Sequence, residues 1–395
     1  MKHIFIYLSI CICTSLYAQS YSSYFTGDTT DVNTNADYGI CLMGGSTEDD
    51  RAMKWFLEKA NGGDILVIRA SGSDGYNDYF FSELGVEVNS VETIVFNNND
   101  AVNDSYVLQQ IANAEAIWIA GGDQSVYINY WKNTEVENLL NMHINEKQAV
   151  IGGTSAGMAI LGSSYFSANN GTVYSSEALE DPYNTFMTFG HNDFLEIPLL
   201  NNTITDTHFS ERNREGRILT FIARMNDELG AHSFGIACDE YTAVCIDSSG
   251  LGAVYGEWPE YDDYAFFIQM NCEDENQPEQ MQIGVPFTWN YSGQAAKVYK
   301  VGGTTNGDHF LDLNDWLTGN GGQWLHWYAD DGIFYEENGS APNCDDMIIE
   351  IVNNNKSKLK LIKSIDLLGK TVNKDYKGLI VDIYEDASAK KRIQF

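Results

Sequence analysis

Ala149-Val150-Ile151-Gly152-Gly153-Thr154-Ser155-Ala156-Gly157-Met158-Ala159-Ile160-Leu161 is the stretch on which the reading of this chain turns. A short apolar run drives into Gly153-Thr154-Ser155-Ala156-Gly157, a G-x-S-x-G pattern that sets a serine on a sharp turn from strand to helix. Glycine two residues before and two after lets neighbouring backbone pass close beside a strained serine. The small and apolar residues that follow keep a helical pace. The N-terminus of such a helix turns unpaired N–H groups toward any oxyanion formed there. Ser155 is therefore the candidate nucleophile.

Upstream, from Asp37 to about Ile160, strand and helix patterns alternate. Tyr38 to Met43, Ile65 to Ile68, Val91 to Phe96 and Ala116 to Ala120 read as strands, and Gly44-Gly45 and Gly121-Gly122 stop the first and last of them. Glu48 to Ala60, a mixed stretch through Phe80 and Leu84, Ser105 to Ala114 and Gln124 to His143 read as helices. Near-continuous apolar strands separated by helices predict a parallel α/β sheet covered on both faces. Ligand sites in such sheets lie off the C-terminal strand ends, where both glycine pairs and the elbow fall. Past Glu240 helical periodicity fades and aromatics, glycines and Asn/Asp turns accumulate, as in Phe287-Thr288-Trp289-Asn290-Tyr291-Ser292-Gly293. That predicts β-rich structure to about Gly339, either an extension of the first domain or a small appendage. Asn343 to Asn355 reads as a linker edge.

With 395 residues, 44% of them hydrophobic, the chain can bury a sizeable core in two or three domains. A formal net charge of −33 argues against nucleic acid and anionic membrane surfaces as partners. It reads first as the solvation of a secreted protein and second as attraction for a cationic substrate. Met1-Lys2-His3, the largely apolar Ile4 to Leu16 and Leu16-Tyr17-Ala18 predict a signal peptide cut near Ala18, too short to span a bilayer. No later stretch is long and apolar enough for a transmembrane helix. Beyond Cys11 and Cys13 in that segment stand Cys41, Cys238, Cys245, Cys272 and Cys344. They match no zinc spacing and are odd in number, so at least one stays free or pairs outside the chain; neither metal nor cofactor is expected.

A serine nucleophile needs a base within hydrogen-bond reach and an acceptor that fixes the tautomer of that base. His143, in the helix before the elbow strand, is expected on the surface; His232 sits in a polar loop, and His309 and His326 in the aromatic region. His191, in the polar turn Gly190-His191-Asn192-Asp193, stays open. His208 has the richer setting, Asp206-Thr207-His208-Phe209-Ser210-Glu211-Arg212-Asn213-Arg214-Glu215-Gly216-Arg217, a strand-to-helix junction followed by three arginines. The bland alternative makes those arginines a solvated face paired with Glu211 and Glu215, although Arg212 and Arg214, two apart, do not share a helix face. The acid is sought in Phe234-Gly235-Ile236-Ala237-Cys238-Asp239-Glu240-Tyr241-Thr242-Ala243-Val244. Adjacent strand residues face opposite sides, so only one of Asp239 and Glu240 can address the histidine. The order serine, histidine, acid departs from that of α/β-hydrolases and argues against a lipase or esterase.

Four stretches together, Gly121-Gly122-Asp123-Gln124, Gly153-Thr154-Ser155-Ala156-Gly157, Asp206-x-His208-Phe209-x-x-Arg212-x-Arg214-x-x-Arg217 and Asp239-Glu240-x-Thr242-Ala243, resemble the signature blocks of the cyanophycinases, serine exopeptidases related to α-aspartyl dipeptidases. The resemblance covers about residues 36–250. It implies a flavodoxin-like three-layer α/β sandwich akin to class I glutamine amidotransferases, with serine in place of cysteine. It makes Ser155 the nucleophile, His208 the general base and Glu240 the acid that orients the imidazole, with the N–H groups of Gly122 and Ala156 as the oxyanion hole. Gln124, Asp206, Arg212, Arg214 and Arg217 become the substrate-binding set, because guanidinium grips carboxylate in two-pronged fashion. The implied substrate is cyanophycin, a poly-aspartate backbone with arginine on each β-carboxylate, and the product is β-aspartyl-arginine dipeptide. The chain departs from the family in two places. Thr207 stands where glutamine is usual, and the interval from Arg217 to Asp239 is several residues longer, adding a loop around Asn226 to His232.

At the other end, Leu361 to Lys370 and Gly378 to Asp386, closing on Lys390-Lys391-Arg392-Ile393, resemble a type IX secretion sorting domain, a small β-domain read by an outer-membrane export machine. The expected organisation is thus a signal peptide (1–18), a cyanophycinase-like peptidase domain (36–250), a β-rich aromatic extension (251–342) and a C-terminal β sorting domain (343–395). Expected partners are an aspartyl-peptide or cyanophycin substrate and the type IX export machinery, with a homodimer allowed, and the expected location is secreted or cell-surface. An α-aspartyl dipeptidase or other amidase on the same scaffold is the alternative, and a catalytically idle surface binding protein the third reading.

Overall fold

The protein is described by a computed structural model over residues 19–272, 276–343, 361–365, 370, 378–384 and 389–394. The expected signal peptide lies outside the described residues. The chain divides into two compact units, Met1–Asn343 and Cys344–Phe395.

Two sheets build the first unit. The first runs, in spatial order, β1 (Tyr21–Gly27), β4 (Ser90–Phe96), β3 (Asp64–Arg69), β5 (Ala116–Ile119), β6 (Val150–Thr154), β2 (Gly39–Met43), β11 (Ala243–Asp247), β12 (Leu251–Tyr255), β15 (His309–Asp312) and β16 (Gly319–Asn320). Its centre, from β4 to β2, is parallel. Antiparallel strands extend it on both sides, β1 on one and β11 to β16 on the other. The second sheet runs β18 (Ile333–Asn338), β17 (Gly322–Asp330), β14 (Ala296–Gly302), β13 (Tyr264–Met270), β10 (Phe234–Cys238), β9 (Thr203–Asp206), β7 (Ser164–Phe166) and β8 (Phe189–His191). The class is mixed α/β. The aromatic stretch past 250 contributes three strands to the first sheet and four to the second rather than a layer of its own.

Six α-helices accompany the sheets: α1 (Asp50–Glu58), α2 (Ser105–Asn113), α3 (Gln124–Trp131), α4 (Glu135–Asn145), α5 (Ser175–Glu180) and α6 (Glu215–Leu229). Asp49, Asp104 and Asp123 cap the first three, each side chain accepting backbone N–H groups of the first turn, so some of the acid excess in this chain sits at helix starts. On α1, Ala52, Met53, Phe56 and Leu57 form one apolar stripe packed on Cys41, Met43, Val67, Trp118 and Cys245. The alternate strand residues Ile40, Leu42, Ile68, Ile117 and Ile151 face the other way and are equally buried, as expected of a sheet covered on both faces. Helix α6 buries Ile218, Leu219, Phe221, Ile222 and Met225 among residues of the second sheet. Each such side chain contributes roughly 1.5–3 kcal/mol.

The structure departs from the sequence reading at three places. Gln124 to His143 is two helices, not one, broken at Asn133, which adopts a left-handed backbone. The elbow leads into a single 3₁₀ turn, Met158–Ile160, instead of an α-helix, because the chain must enter β7 of the second sheet within a few residues. His143, expected on the surface, is buried, with Nε2 2.8 Å from the Val150 carbonyl oxygen to which it donates. Burial pushes its imidazole down to about 4.

Described by itself, the second unit contains an antiparallel sheet of β19 (Leu361–Ile365), β20 (Gly378–Tyr384) and β21 (Ala389–Gln394) in that order. Much of the stretch read as a sorting domain lies outside the described residues.

Candidate active site

Ser155 follows the last residue of β6, between β5 and β2, and its N–H still donates to Met43 O of β2 at 3.1 Å. The backbone then turns sharply, with φ +52 at Ser155. A non-glycine residue held there stores strain of order 1–3 kcal/mol that the surrounding structure must sustain. Gly157 shows how: a Cβ at this position would collide with the Ile119 carbonyl group, 2.7 Å from its carbon. The turn therefore packs directly on the neighbouring strand.

His208 arrives from the other sheet. It sits just past β9, in left-handed backbone (φ +44), with its N–H bonded to Gly44 O at 2.9 Å. Glu240 lies in the short link from β10 of the second sheet to β11 of the first. Ser155 Oγ is 2.8 Å from His208 Nε2, and His208 Nδ1 is 2.7 Å from Glu240 Oε1. An ionised carboxylate can only accept, so the imidazole carries its proton on Nδ1 and leaves Nε2 to accept from the serine hydroxyl. Burial holds the His208 pKa below the ordinary imidazole value; the Glu240 hydrogen bond opposes this, and the charges of Arg212 and Arg214 add to it. The ring is thus neutral and basic near neutral pH. Gly45 completes the pocket for the ring. Its φ is +118, and a Cβ there would lie 2.5 Å from His208 Nε2.

The three arginines differ in their surroundings. Arg217, on α6, is buried and donates from Nε to Asp206 Oδ2 at 2.8 Å and from Nη1 to Val173 O at 3.2 Å, while Nη2 reaches Asp206 Oδ1. Arg214, the residue before α6, gives Nη1 to Asp206 Oδ1, to Thr207 O at 2.6 Å and to Thr207 Oγ1 at 3.2 Å. Burial pushes the Asp206 carboxyl up, but the charges of Arg217 and Arg214 outweigh it and leave the pKa below the ordinary value. Burial likewise brings Arg214 down to about 10. Arg212, in a 3₁₀ turn, is exposed. Gln124, at the start of α3, donates to Phe166 O at 2.9 Å. All five residues, with Thr207, line one cavity of about 160 Å³. Thr207, the departure from the family pattern, serves Arg214 through both its carbonyl and its hydroxyl.

Gly121 lies beside Ser155, and Tyr127 O–H braces this turn from beneath, 3.0 Å from the carbonyl oxygens of Ala120 and Gly121. The N–H groups of Gly122 and Ala156 donate no backbone hydrogen bond among the described residues. His191 is engaged elsewhere, accepting from the buried Ser164 hydroxyl at 2.9 Å and donating to Glu228 at 3.1 Å. A larger cavity, about 710 Å³, opens beside Tyr241 and is lined by Glu48, Asp49, Asp50, Glu257 and Asp263 against Arg51 and Lys54. Among the described residues no His, Cys, Asp and Glu side chains group as a metal site, and no helix is long and apolar enough to cross a membrane. Cys41, Cys238 and Cys245 are buried free thiols, whereas Cys272 is disulfide-bonded. The contribution of Gly45 escaped the sequence reading, although the glycine pair ending β2 marked the place.

A serine at the end of a parallel strand, hydrogen-bonded to a histidine that is held by a carboxylate, defines the serine-hydrolase class of site. Residues 70–252, which contain every residue of that relay, match the profile of peptidase family S51, so the chain carries a serine-type peptidase domain. Among characterised proteins it is similar to the cyanophycinases of Trichormus variabilis and Nostoc sp., each 27% identical over 177 residues, 45% of this chain and 53% of theirs. It is also similar to the cyanophycinase of Synechococcus elongatus, 24% identical over 55% of this chain and 66% of that protein. The chain thus spans about half the length of the first two relatives. Among solved structures it is similar to a peptidase from an acI-B1 Actinobacterium (TM-score 0.40, 14% identity, 56% of this chain and 89% of that one). A second is a putative peptidase E protein from Listeria monocytogenes (TM-score 0.32, 15% identity, 54% and 96%).

Proposed function

We propose that this protein hydrolyses aspartyl-containing peptides, cyanophycin in particular, to β-aspartyl-arginine dipeptides through an acyl-enzyme on Ser155. One observation carries the reading: the relay from Ser155 through His208 to Glu240, with distances of 2.8 and 2.7 Å, borders on a cavity lined by three arginines. In the first half-reaction His208 Nε2 takes the hydroxyl proton as Oγ attacks the scissile carbonyl, and Glu240 stabilises the imidazolium that forms. The carbonyl oxygen becomes an oxyanion received by the N–H groups of Gly122 and Ala156, an interaction worth roughly 2.7–4 kcal/mol per donor in hydrolases. His208 then hands its proton to the leaving amine. In the second half-reaction it deprotonates water, which releases the acyl group and restores Ser155.

Specificity follows from charge. The 160 Å³ cavity fits a short side chain, and Arg212, Arg214 and Gln124 present donors to an aspartyl carboxylate while Asp206 and Arg217 hold Arg214 in place. The acidic cavity beside Tyr241 suits the arginyl groups of the same polymer. The test is mass-spectrometric detection of dipeptide release from purified cyanophycin beside a panel of α-aspartyl dipeptides. Release by the wild type and none by a folded Ser155→Ala variant is expected. Turnover unchanged in that variant refutes the assignment, and exclusive cleavage of the α-aspartyl panel transfers it to a dipeptidase. The same proposal includes Sec-dependent export followed by a type IX sorting step, read by fractionating cells that express the chain with and without residues 343–395.

A further inference from the structure

Three of the loops that meet at the relay contain a non-glycine residue in left-handed backbone, Ser155 (φ +52), His208 (φ +44) and Tyr241 (φ +61), the last immediately after Glu240. Such backbone persists only where its surroundings over-determine it. For the base loop and the acid loop, the restraint is a pair of reciprocal carboxylate-to-amide bonds. Asp239 Oδ1 accepts the N–H of Ser210, two residues past the base, at 2.8 Å, while Glu211 Oε1 accepts the N–H of Glu240 at 3.2 Å. Each loop thus supplies a carboxylate to the backbone of the other. Asp239 is also anchored from behind, with Oδ2 3.3 Å from Tyr264 N and its own N–H donating to Tyr264 O at 3.0 Å. It is 1% exposed, and burial raises its carboxyl to about 7. Near neutral pH both the acid and the carboxylate are populated, and either form accepts these N–H groups.

We propose that Asp239 and Glu211 are positioning residues that lock the base loop to the acid loop, so that the His208 ring stays in line between Ser155 and Glu240. The proposal rests on the reading of Ser155, His208 and Glu240 as a catalytic relay. Neither residue touches the reacting atoms, and both act through backbone. The lock explains why both members of the Asp239-Glu240 pair are needed: one orients the ring, the other orients the loop that bears it.

The test uses the full chain, a fluorophosphonate probe at saturating and subsaturating concentration, and thermal melts of Asp239→Ala, Asp239→Asn, Glu211→Ala and Glu211→Gln. Misplacement of the ring predicts that Asp239→Ala lowers the maximal labelling rate of Ser155 at least about tenfold, with the half-saturating probe concentration held. Asp239→Asn, which keeps an acceptor oxygen for Ser210, recovers most of that rate. Glu211 is on the surface, so its variants fold even if Asp239→Ala does not. There the prediction is a several-fold loss for Glu211→Ala at unchanged melting temperature, and wild-type labelling for Glu211→Gln. Wild-type rates in both alanine variants, or an asparagine or glutamine no better than alanine, overturn the proposal. A wild-type protein whose Ser155 never labels refutes the catalytic reading instead.

Discussion

Gly45→Ala is the substitution that most directly interrogates the relay, because it touches neither the nucleophile, the base nor the acid. Gly45 holds φ +118, and an added Cβ would lie 2.5 Å from His208 Nε2 and 3.0 Å from Nδ1. Ordinary contact begins at 3.4 Å, so ring or loop must give way by about 1 Å, a displacement that costs on the order of 10²-fold in rate when it falls on a catalytic group. The serine cannot follow the ring, since Ser155 N is held by Met43 O and the turn is packed on Ile119. The 2.8 Å hydrogen bond between Ser155 and His208 is therefore what breaks. A hundredfold fall corresponds to about 2.7 kcal/mol of lost transition-state stabilisation. Alanine at this φ adds a stability cost of order 1–3 kcal/mol, visible as a lower melting temperature. The measurements are kcat for dipeptide release from cyanophycin and a thermal melt on the same preparation. A folded Gly45→Ala protein whose kcat stays within about threefold of wild type would refute the claim that this close approach sets the position of the base.

Three further outcomes are expected. The pKa of His208 is depressed and the base must be neutral, so kcat/KM falls as pH drops through a midpoint below about 6.5; a midpoint at or above that value contradicts the burial argument. His143 is neutral when folded, with a pKa of about 4, and binds protons more readily when unfolded. It contributes about 3 kcal/mol that is present above pH 6.5 and lost as pH falls from there through 4. Urea melts of wild type and His143→Leu across that window should converge toward acid, and parallel curves would count against it. Arg217→Met leaves buried Asp206 with one cation fewer and should cost roughly 3–5 kcal/mol in a melt. Arg212→Ala, on an exposed side chain, should raise KM without moving the melting temperature; the reverse pattern would exchange their roles.

The central sheet was legible because its strands are short apolar runs with turn glycines behind them, and because Asp49, Asp104 and Asp123 announce the helices that follow. Ser155 was legible for the same local reason, since a nucleophile turn is built from five consecutive residues. What failed did so where periodicity has no access to pairing. Gln124 to His143 keeps one helical pattern across Asn133, whose left-handed backbone breaks it. His143 looked amphipathic yet turns inward to Val150. The aromatic stretch past Glu240 reads simply as β-rich, while its strands are distributed between two sheets.

The choice between Asp239 and Glu240 shows where the boundary falls. Strand alternation says that two adjacent acids face opposite sides, and it holds only while the chain remains a strand. Strand β10 ends at Cys238 and the backbone turns at Tyr241, so the directions of the two carboxylates are set by the loop. Local sequence determined the nucleophile turn, the strand cores and the helix starts, because each is decided by interactions among residues a few positions apart. Tertiary structure alone decided that Ser155 comes from one sheet and His208 from another, and that Arg217 is spent on Asp206 while Arg212 stays open to the cavity. Those outcomes depend on which buried strand edges pair, and hydrogen bonding between distant backbones leaves no periodic trace in the chain.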